Sequence, residues 1–190
     1  MERKIILSLF DYSGNWPKFY KDAGYDVYQV DIKHGIDILE LEYDDFPDNV
    51  YGILAAPPCT DFSGSGAQYW KIKDLDGRTA QSLKLVDKVI EIVSWYPELN
   101  FWALENPVGR LSTLRPKLGK PWYFQPYWYG DPYTKKTGLW GNFNKDLPKN
   151  EVKPDPNSWI MKLGGKSERT KELRSMTPLG FAKAFFLANP

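Results

Sequence analysis

Only one cysteine and one histidine occur in this chain of 190 residues. A single cysteine excludes an intrachain disulfide and a zinc site built from several cysteines, and His34 alone contributes little to a metal site. Lys and Arg number 25 and Asp and Glu 24, so the net charge is +1. This balance does not provide the strongly basic surface with which proteins usually hold the phosphates of duplex DNA.

No apolar run approaches the roughly 20 residues that a helix needs to cross a bilayer. The run Lys4–Phe10 is also too short for a secretory signal peptide and is predicted to be a buried strand. We therefore expect a cytoplasmic protein that does not interact with membranes. The length suits a single domain that occupies residues 1–190.

Short apolar runs that end in polar turns alternate with helical patterns. The alternation predicts an α/β fold with a mostly parallel central sheet flanked by helices. In such sheets, ligands bind at the carboxyl ends of the strands. The final helix is predicted to have Thr177 as its N-cap and Pro178 at its first position. Predicted strands cover residues 4–10, 25–30, 50–55 and 100–104, and predicted helices cover 17–23, 79–96 and residues from 177 onward.

Aromatic residues make up 16% of the chain. They provide either flat stacking surfaces or a core of large side chains. The segment 110–175 combines aromatic residues with Pro and Gly and shows only weak periodicity. We expect two or three strands with long connections there.

The turns after the first two predicted strands have the composition of a ligand site. Gly14 allows the backbone of the first turn to approach a ligand, and Asp31 stands where an acidic residue commonly holds ribose hydroxyls. The phosphate-binding pattern G-x-G-x-x-G is absent, which disfavours a dinucleotide. An ordinary turn glycine and a solvated aspartate explain these residues equally well.

Two further turns carry reactive side chains. Pro57 and Pro58 stiffen the approach to Cys59, and the loop 63–66 is predicted to close over a substrate. Cys59 is either a nucleophile, which needs access and a lowered pKa, or a structural residue. Glu105 after the fourth strand either acts as an acid with a raised pKa or forms a helix cap or salt bridge.

Together these residues resemble the cytosine-5 DNA methyltransferases. The most specific likeness is the Pro-Pro-Cys loop combined with the Glu-Asn pair on the next strand. The resemblance covers residues 4–109 well and the C-terminal helix loosely. It implies a Rossmann-like, class I S-adenosylmethionine-dependent methyltransferase fold. The matching segments are Leu9-Phe10, Asp31, Pro57-Pro58-Cys59-Thr60-Asp61-Phe62-Ser63, Glu105-Asn106 and Thr177-Pro178-Leu179-Gly180-Phe181-Ala182.

The resemblance also implies a cofactor, S-adenosylmethionine, which leaves as S-adenosylhomocysteine, and it implies no metal. The catalytic residues would be Cys59 and Glu105. The cofactor-binding residues would be Phe10, Asp11, Ser13, Gly14, Asn15, Trp16, Asp31, Ile32, Asp37, Ile38 and Pro57. The substrate-binding residues would be Pro58, Phe62, Ser63, Asn106, Lys135 and Lys136.

The implied chemistry explains why these residue types are needed. The thiolate of Cys59 would add to carbon 6 of cytosine, and carbon 5 would then attack the methyl group. Glu105 would stabilise the charge near ring nitrogen 3 and the exocyclic amine. A target base in duplex DNA would first have to be flipped out of the stack.

Three departures from the family pattern limit the resemblance. Tyr12 stands where the family has its first turn glycine, and Pro107 follows the Glu-Asn pair. The Arg-x-Arg that supports the target base is not evident, and Lys135-Lys136 is either its substitute or a solvated loop.

The small size leaves several functional readings open. Segment 110–175 provides at most a reduced target-recognition region. Recognition is therefore minimal, or a partner protein supplies it, or the substrate is a free cytosine nucleotide or RNA instead of duplex DNA. A binding module that keeps the fold without catalysis is the other alternative. An amino-methyltransferase is disfavoured. Such enzymes use an Asn- or Asp-Pro-Pro-aromatic motif, and Cys59 occupies the aromatic position of that motif.

Overall fold

The computed structural model describes residues 3–160, 162–163 and 167–190. These residues form one six-stranded sheet in the order β2-β1-β3-β4-β6-β5. The strands are β1 (Ile5–Leu9), β2 (Asp26–Val30), β3 (Val50–Ala55), β4 (Phe101–Pro107), β5 (Trp122–Phe124) and β6 (Thr137–Asn142). The helices are α1 (Lys18–Asp22), α2 (Trp70–Leu75), α3 (Arg78–Ser94), α4 (Leu111–Leu114), α5 (Glu168–Ser175) and α6 (Leu179–Ala188). Short 3-10 helices occupy Ile32–His34, Ile38–Glu40, Tyr43–Asp45, Gly64–Tyr69, Pro116–Leu118 and Pro126–Tyr129.

The sheet is parallel over its first four strands. Strand β1 runs parallel to β2 and β3, and β3 runs parallel to β4. Strand β6 lies antiparallel between β4 and β5. The predicted α/β fold with a mostly parallel sheet is therefore confirmed, and the carboxyl ends of β1 to β4 share one edge.

Apolar side chains cover both faces of the sheet. Consecutive strand residues point to opposite faces, so Leu7 packs in the cluster that contains α3, whereas Ile6 packs in the cluster that contains α1 and α6. A strand that is buried on both faces is apolar along most of its length, which is the pattern of β3 and, apart from the buried Ser8, of β1. No helix within the described ranges is both long enough and apolar enough to cross a membrane.

The start of α6 corrects the predicted cap. The N-cap residue is Pro178, the helix begins at Leu179, and Thr177 does not cap it. Instead, Oδ2 of Asp131 accepts a hydrogen bond of 2.9 Å from the backbone N–H of Gly180. A carboxylate from a distant loop therefore satisfies this helix end, and a sequence window around Thr177 cannot reveal it.

Strand β4 is longer than predicted. It continues through Glu105 and Asn106 to Pro107, because these residues pair with Leu139, Gly138 and Thr137 of β6. Glu105 is consequently held in a sheet and not in a turn. The segment 110–175 provides β5 and β6 in its described part, within the expected two or three strands.

Candidate active site

Two adjoining cavities lie at the carboxyl edge of the sheet. The first has a volume of about 320 Å³ and extends toward Asp37 and Ile38. The second, of about 270 Å³, extends toward Cys59. Both are lined by Phe10, Asp31, Ile32 and Pro58, so they form one continuous groove, which we call the edge groove.

Asp11 organises the turn after β1. Its carboxylate accepts hydrogen bonds from the Ser13 hydroxyl (2.6 Å) and from the backbone N–H groups of Gly14 (2.9 Å) and Trp16 (3.1 Å). Its backbone carbonyl accepts a bond of 2.8 Å from Nε2 of Gln29 on β2. The predicted role of Asp11 in cofactor binding is therefore indirect, because its carboxylate is used to build the turn. Sequence reasoning missed Gln29, which lies in β2 one residue before its end.

The backbone of this turn is bent at Phe10, which has a φ of 60°. This left-handed conformation is costly for a non-glycine residue, so the surrounding bonds must hold it. Tyr12, two residues further on, stands where the family pattern has a glycine. Its ring is 44% exposed and lies 4.9 Å from the ring of His34, which is exposed as expected.

Trp16 does not line the groove. Its side chain is fully buried, with its ring centroid 5.9 Å from that of Phe181 and 5.7 Å from that of Phe185. The prediction that this side chain contacts a cofactor is corrected by its place in the core beneath α6. Asn15 joins the same turn to the start of α6, because its Nδ2 donates to the carbonyl of Thr177 at 3.2 Å.

Asp31 and Asp37 face the groove from the loop after β2. One carboxylate oxygen of each accepts a backbone N–H two residues further on, from Lys33 at 2.8 Å and from Leu39 at 3.0 Å. Within the described ranges, neither second oxygen has a hydrogen bond to the protein. Each aspartate thus shapes its loop and keeps one acceptor for a ligand.

The segment of residues 57–62, which we call the Cys59 segment, leaves β3 at the edge. Pro57, which is predicted to contact the cofactor, is buried, whereas Pro58, which is predicted to contact the substrate, is exposed and lines both cavities. The carbonyl of Pro57 accepts a bond of 3.1 Å from Nδ2 of Asn106. Asn106 is fully buried, which makes it a support for the segment and not a surface for substrate.

Cys59, Glu105 and Lys135 share one electrostatic environment. Nζ of Lys135 lies 3.9 Å from Oε1 of Glu105. Burial raises the pKa of the Glu105 carboxyl, and the Lys135 charge partly opposes this. Burial also raises the pKa of the Cys59 thiol, as does the nearby charge of Glu105, whereas Lys135 lowers it. The Cys59 thiol, which lines the second cavity, is therefore electrostatically coupled to the Glu105 acid and the Lys135 cation.

The loop that carries Lys135 is fixed by its neighbours. The backbone N–H of Lys135 donates to Oε1 of Gln125 at 3.0 Å, and the carbonyl of Lys135 accepts from the Thr137 hydroxyl at 2.8 Å. Lys136 differs, because its ammonium lies 4.6 Å from the ring centroid of Tyr123. Only Lys135 of the predicted pair thus points toward Glu105.

Phe62 and Ser63, both predicted to bind substrate, have different surroundings. Phe62 is fully buried in the core, so that prediction is corrected. Ser63 is half-buried and forms an isolated bridge with Gly109, and its hydroxyl lies 2.9 Å from that of Ser65.

Helix α5 contributes residues that sequence reasoning missed. Glu172, Ser175 and Met176 line the second cavity. The carboxylate of Glu172 lies 3.3 Å from Nζ of Lys33, so an ion pair connects α5 with the loop after β2. Lys33 and Glu172 lie about 140 residues apart in the sequence and meet at the same edge of the sheet. No local motif therefore marks this contact. Within the described ranges, no group of three or more His, Cys, Asp or Glu side chains can hold a metal ion.

Comparison with known proteins gives only distant likenesses. No family model matches the chain, and no curated protein matches it. One solved structure that it resembles is described as a DNA modification methyltransferase encoded within a prophage (E. coli), with 20% identity and a TM-score of 0.48 over 87% of this chain. Another is the Entamoeba histolytica methyltransferase EhMeth, with 13% identity and a TM-score of 0.48 over 88% of this chain.

The chain spans only part of these two proteins, 56% of the first and 61% of the second. At these identities and scores, the likeness establishes neither a family nor an activity for this chain.

Proposed function

We propose that this protein is an S-adenosylmethionine-dependent methyltransferase that acts on carbon 5 of cytosine in DNA. The observation that carries the proposal is that Cys59, which lines the edge groove, is electrostatically coupled to Glu105 and Lys135, whose charged groups lie 3.9 Å apart. A thiol, an acid with a raised pKa and a cation are the three groups that covalent activation of a cytosine ring requires.

The residues that line the edge groove suit the chemical groups of the methyl donor. Apolar walls from Phe10, Ile36 and Ile38 suit an adenine ring, and the remaining carboxylate oxygen of Asp31 suits ribose hydroxyls. The donor supplies an electrophilic methyl group when it is bound. Phe10, Ser13, Asp31, Ile32, Asp37 and Ile38 are the residues proposed to hold it.

The proposed chemistry at the substrate begins at Cys59. The Cys59 thiol first loses its proton to solvent, and the thiolate adds to carbon 6 of the ring while Glu105 donates its proton to nitrogen 3, so that carbon 5 becomes an enamine carbon. Carbon 5 would then take the methyl group from the donor, which would leave as S-adenosylhomocysteine. The carbon 5 proton then leaves to a solvent base, the thiolate of Cys59 departs, and nitrogen 3 returns its proton to Glu105. Burial raises the pKa of Glu105, which favours the protonated acid that this step uses.

The first test is methyl transfer from a labelled donor to DNA. The unaltered protein is expected to label DNA, and Cys59→Ala is expected to abolish labelling because carbon 5 is not activated without the thiol. Lys71→Met, which changes an exposed lysine on α2, is the matched control. Substantial labelling by Cys59→Ala would rule out the covalent mechanism.

A free cytosine nucleotide or RNA is the second candidate substrate. The net charge of +1 and the short segment 110–175 favour it over a long DNA duplex. We propose to compare dCMP, single-stranded DNA, duplex DNA and RNA under the same conditions. Labelling of duplex DNA alone, only when a second protein is added, would indicate a partner that supplies target recognition.

A binding module without catalysis makes a different prediction. It would not label any of these substrates, and failure to bind S-adenosylmethionine at millimolar concentration would favour it.

A further inference from the structure

Nearly every backbone carbonyl of the Cys59 segment is already bonded. The carbonyl of Cys59 accepts from the N–H groups of Phe62 (3.0 Å) and Ser63 (2.9 Å), which closes a tight turn. The carbonyl of Phe62 accepts from the N–H of Arg110 at 3.0 Å. With the Asn106 bond to Pro57, these contacts fix both ends of the segment to β4 and to the residues that follow it.

A buried ammonium group fixes the middle of the segment. Nζ of Lys73, on α2, donates to the carbonyl of Thr60 at 2.6 Å and lies 2.9 Å from Oδ1 of Asp61. The Lys73 side chain is 8% exposed, so its charge has lost almost all water and depends on these two oxygens. Oδ2 of Asp61 also accepts from the Ser82 hydroxyl on α3 at 2.5 Å. Both partners of the ion pair are therefore anchored to helices.

The pKa of Asp61 reflects the same arrangement. Burial by itself raises that pKa, but the hydrogen bonds from Ser82 and Lys73 and the Lys73 charge outweigh it, so the pKa is lowered. Asp61 is therefore ionised near neutral pH, and the pair with Lys73 is a charged pair.

Arg110, the residue before α4, forms a second set of bonds that holds the Cys59 segment, and we call this set and the Lys73 contacts the clamps. Its Nε and Nη2 donate to the carbonyl of Asp61 at 3.3 and 3.2 Å. The same guanidinium forms two bonds with Asp74, of 2.8 and 2.7 Å, and lies 4.7 Å from the ring of Trp70. Arg110 thus links the Cys59 segment to α2 at a fixed distance.

From these contacts we propose that Lys73 and Arg110 are positioning residues, which hold the Cys59 segment in one conformation, with Cys59 at the second cavity, before any substrate binds. The proposal rests on the proposed function only for the role of Cys59 as nucleophile. It replaces the expected loop closure with a preformed site, since the residues after Ser63 form a 3-10 helix held beside Val108, whose carbonyl accepts from the N–H of Gly64 at 2.8 Å. The substrate is then the partner that has to adapt, by presenting an accessible cytosine.

The test uses the thiol itself, because Cys59 is the only cysteine in the chain. Alkylation of the folded protein by iodoacetamide is followed by mass spectrometry for the unaltered protein and for Lys73→Met. Lys73→Met is expected to react about tenfold faster, because a released segment exposes its thiol. Lys71→Met on the same helix is expected to react at the unaltered rate.

A stability control separates local release from general destabilisation. Val89→Ala removes buried side-chain atoms from α3, away from the Cys59 segment, and lowers the melting temperature without touching the clamps. Its alkylation rate at 25 °C is expected to match that of the unaltered protein. If Val89→Ala and Lys73→Met accelerate alkylation equally at equal melting temperatures, Lys73 is a general stabilising residue and the proposal fails.

A second variant keeps the test valid if Lys73→Met does not fold. Arg110→Lys keeps the positive charge beside Asp74 but lacks the planar fork that reaches the Asp61 carbonyl, and it is expected to accelerate alkylation about threefold. The proposal is overturned if folded Arg110→Lys reacts at the unaltered rate. These rates need no methyl transfer, so they decide the positioning role even if the proposed activity fails.

Discussion

At the scale of single residues, the chemistry of the site depends on how the protein adjusts two pKa values. Burial and the Glu105 charge make the Cys59 thiolate less favourable, whereas Lys135 makes it more favourable. Lys135 is the side chain that favours the thiolate, so it is the group through which a substitution can change the pKa of Cys59.

The first prediction concerns the pH dependence of Cys59 in the unliganded protein. Because its pKa lies above the ordinary value of 9.0, the thiolate fraction at pH 7 is small and rises with pH through and beyond pH 9. Alkylation is expected to accelerate about tenfold for each pH unit below that pKa. A rate that levels off below pH 8 would contradict the raised pKa. The measurement is the iodoacetamide rate between pH 6 and 10.

The second prediction separates the two adjacent lysines. Lys135→Met removes the cation that favours the thiolate, so the pKa of Cys59 should rise further and alkylation at pH 8 should slow by about fivefold. Lys136→Met should leave the rate unchanged, because that ammonium lies over Tyr123. Equal effects of the two variants would mean that general surface charge, and not Lys135, controls the thiol.

At the scale of elements, close backbone contacts hold the functional strand ends together. A Cβ built on Gly109 would lie 1.9 Å from the carbonyl oxygen of Phe62, in the Cys59 segment. The end of β4 and the Cys59 segment can therefore approach each other only because residue 109 is a glycine.

The third prediction follows from that contact. Gly109→Ala must push the two backbones apart, and it is expected to lower the free energy of unfolding by more than about 2 kcal/mol. Gly66→Ala is the control, since its added Cβ would meet the nearest atom at 3.6 Å, an ordinary contact distance. Urea unfolding measures both, and a Gly109→Ala midpoint equal to that of Gly66→Ala would contradict the close approach.

The fourth prediction concerns the distant cap of α6. Asp131→Ala leaves the N–H of Gly180 without its acceptor and is expected to cost about 1–2 kcal/mol of unfolding free energy. Asp146→Ala, at an exposed position, is expected to change it by less than about 0.5 kcal/mol. Urea unfolding of the two variants compares these costs. An equal, small effect of both changes would show that α6 does not need this cap.

The sequence predicts which strands and helices occur better than it predicts the residues at which they begin and end. Strand β3 has the predicted bounds because its apolar run ends abruptly at Pro57. The end of β4 was placed too early, because its last residues are polar and enter the sheet only by pairing with β6. Thr177 has the right composition for a cap, but a long-range contact from Asp131 takes that role.

The same limit applies to the site. Asp31, Cys59 and Glu105 follow apolar runs and can be located from the sequence, since a parallel sheet brings strand ends together. Gln29, Lys73 and Glu172 cannot be assigned from their own sequence neighbourhoods, because each acts through a partner on a different element. The resemblance implies ligand contacts for Trp16 and Phe62, but both are large apolar side chains that are fully buried in the core.

At the scale of the whole molecule, ligand binding and folding are linked. A donor that binds the folded edge groove and not the unfolded chain must raise the stability of the entire domain. The cytoplasmic location remains a prediction from the sequence, as does the role of segment 110–175 in recognition, part of which lies outside the described residues.

The fifth prediction uses this linkage. S-adenosylmethionine at about one hundred times its Kd is expected to stabilise the protein by about 2.7 kcal/mol, measured as a rise in melting temperature. Asp31→Ala should remove most of the rise because it removes the acceptor that faces the groove, whereas Asp22→Ala, exposed on α1, should preserve it. A rise of equal size in both variants would place the donor elsewhere.

The antiparallel strand β6 has a consequence for how such a site can change. A parallel strand would bring its end to the edge of the groove, but β6 brings its beginning, so the connection that precedes Thr137 lies next to Glu105. That connection lies outside the ladder and carries Lys135. Residues inserted there would lengthen a reach over the substrate without shifting the register of any strand. Among the described connections at this edge, the one before Thr137 can therefore lengthen while Cys59 and Glu105 stay where they are.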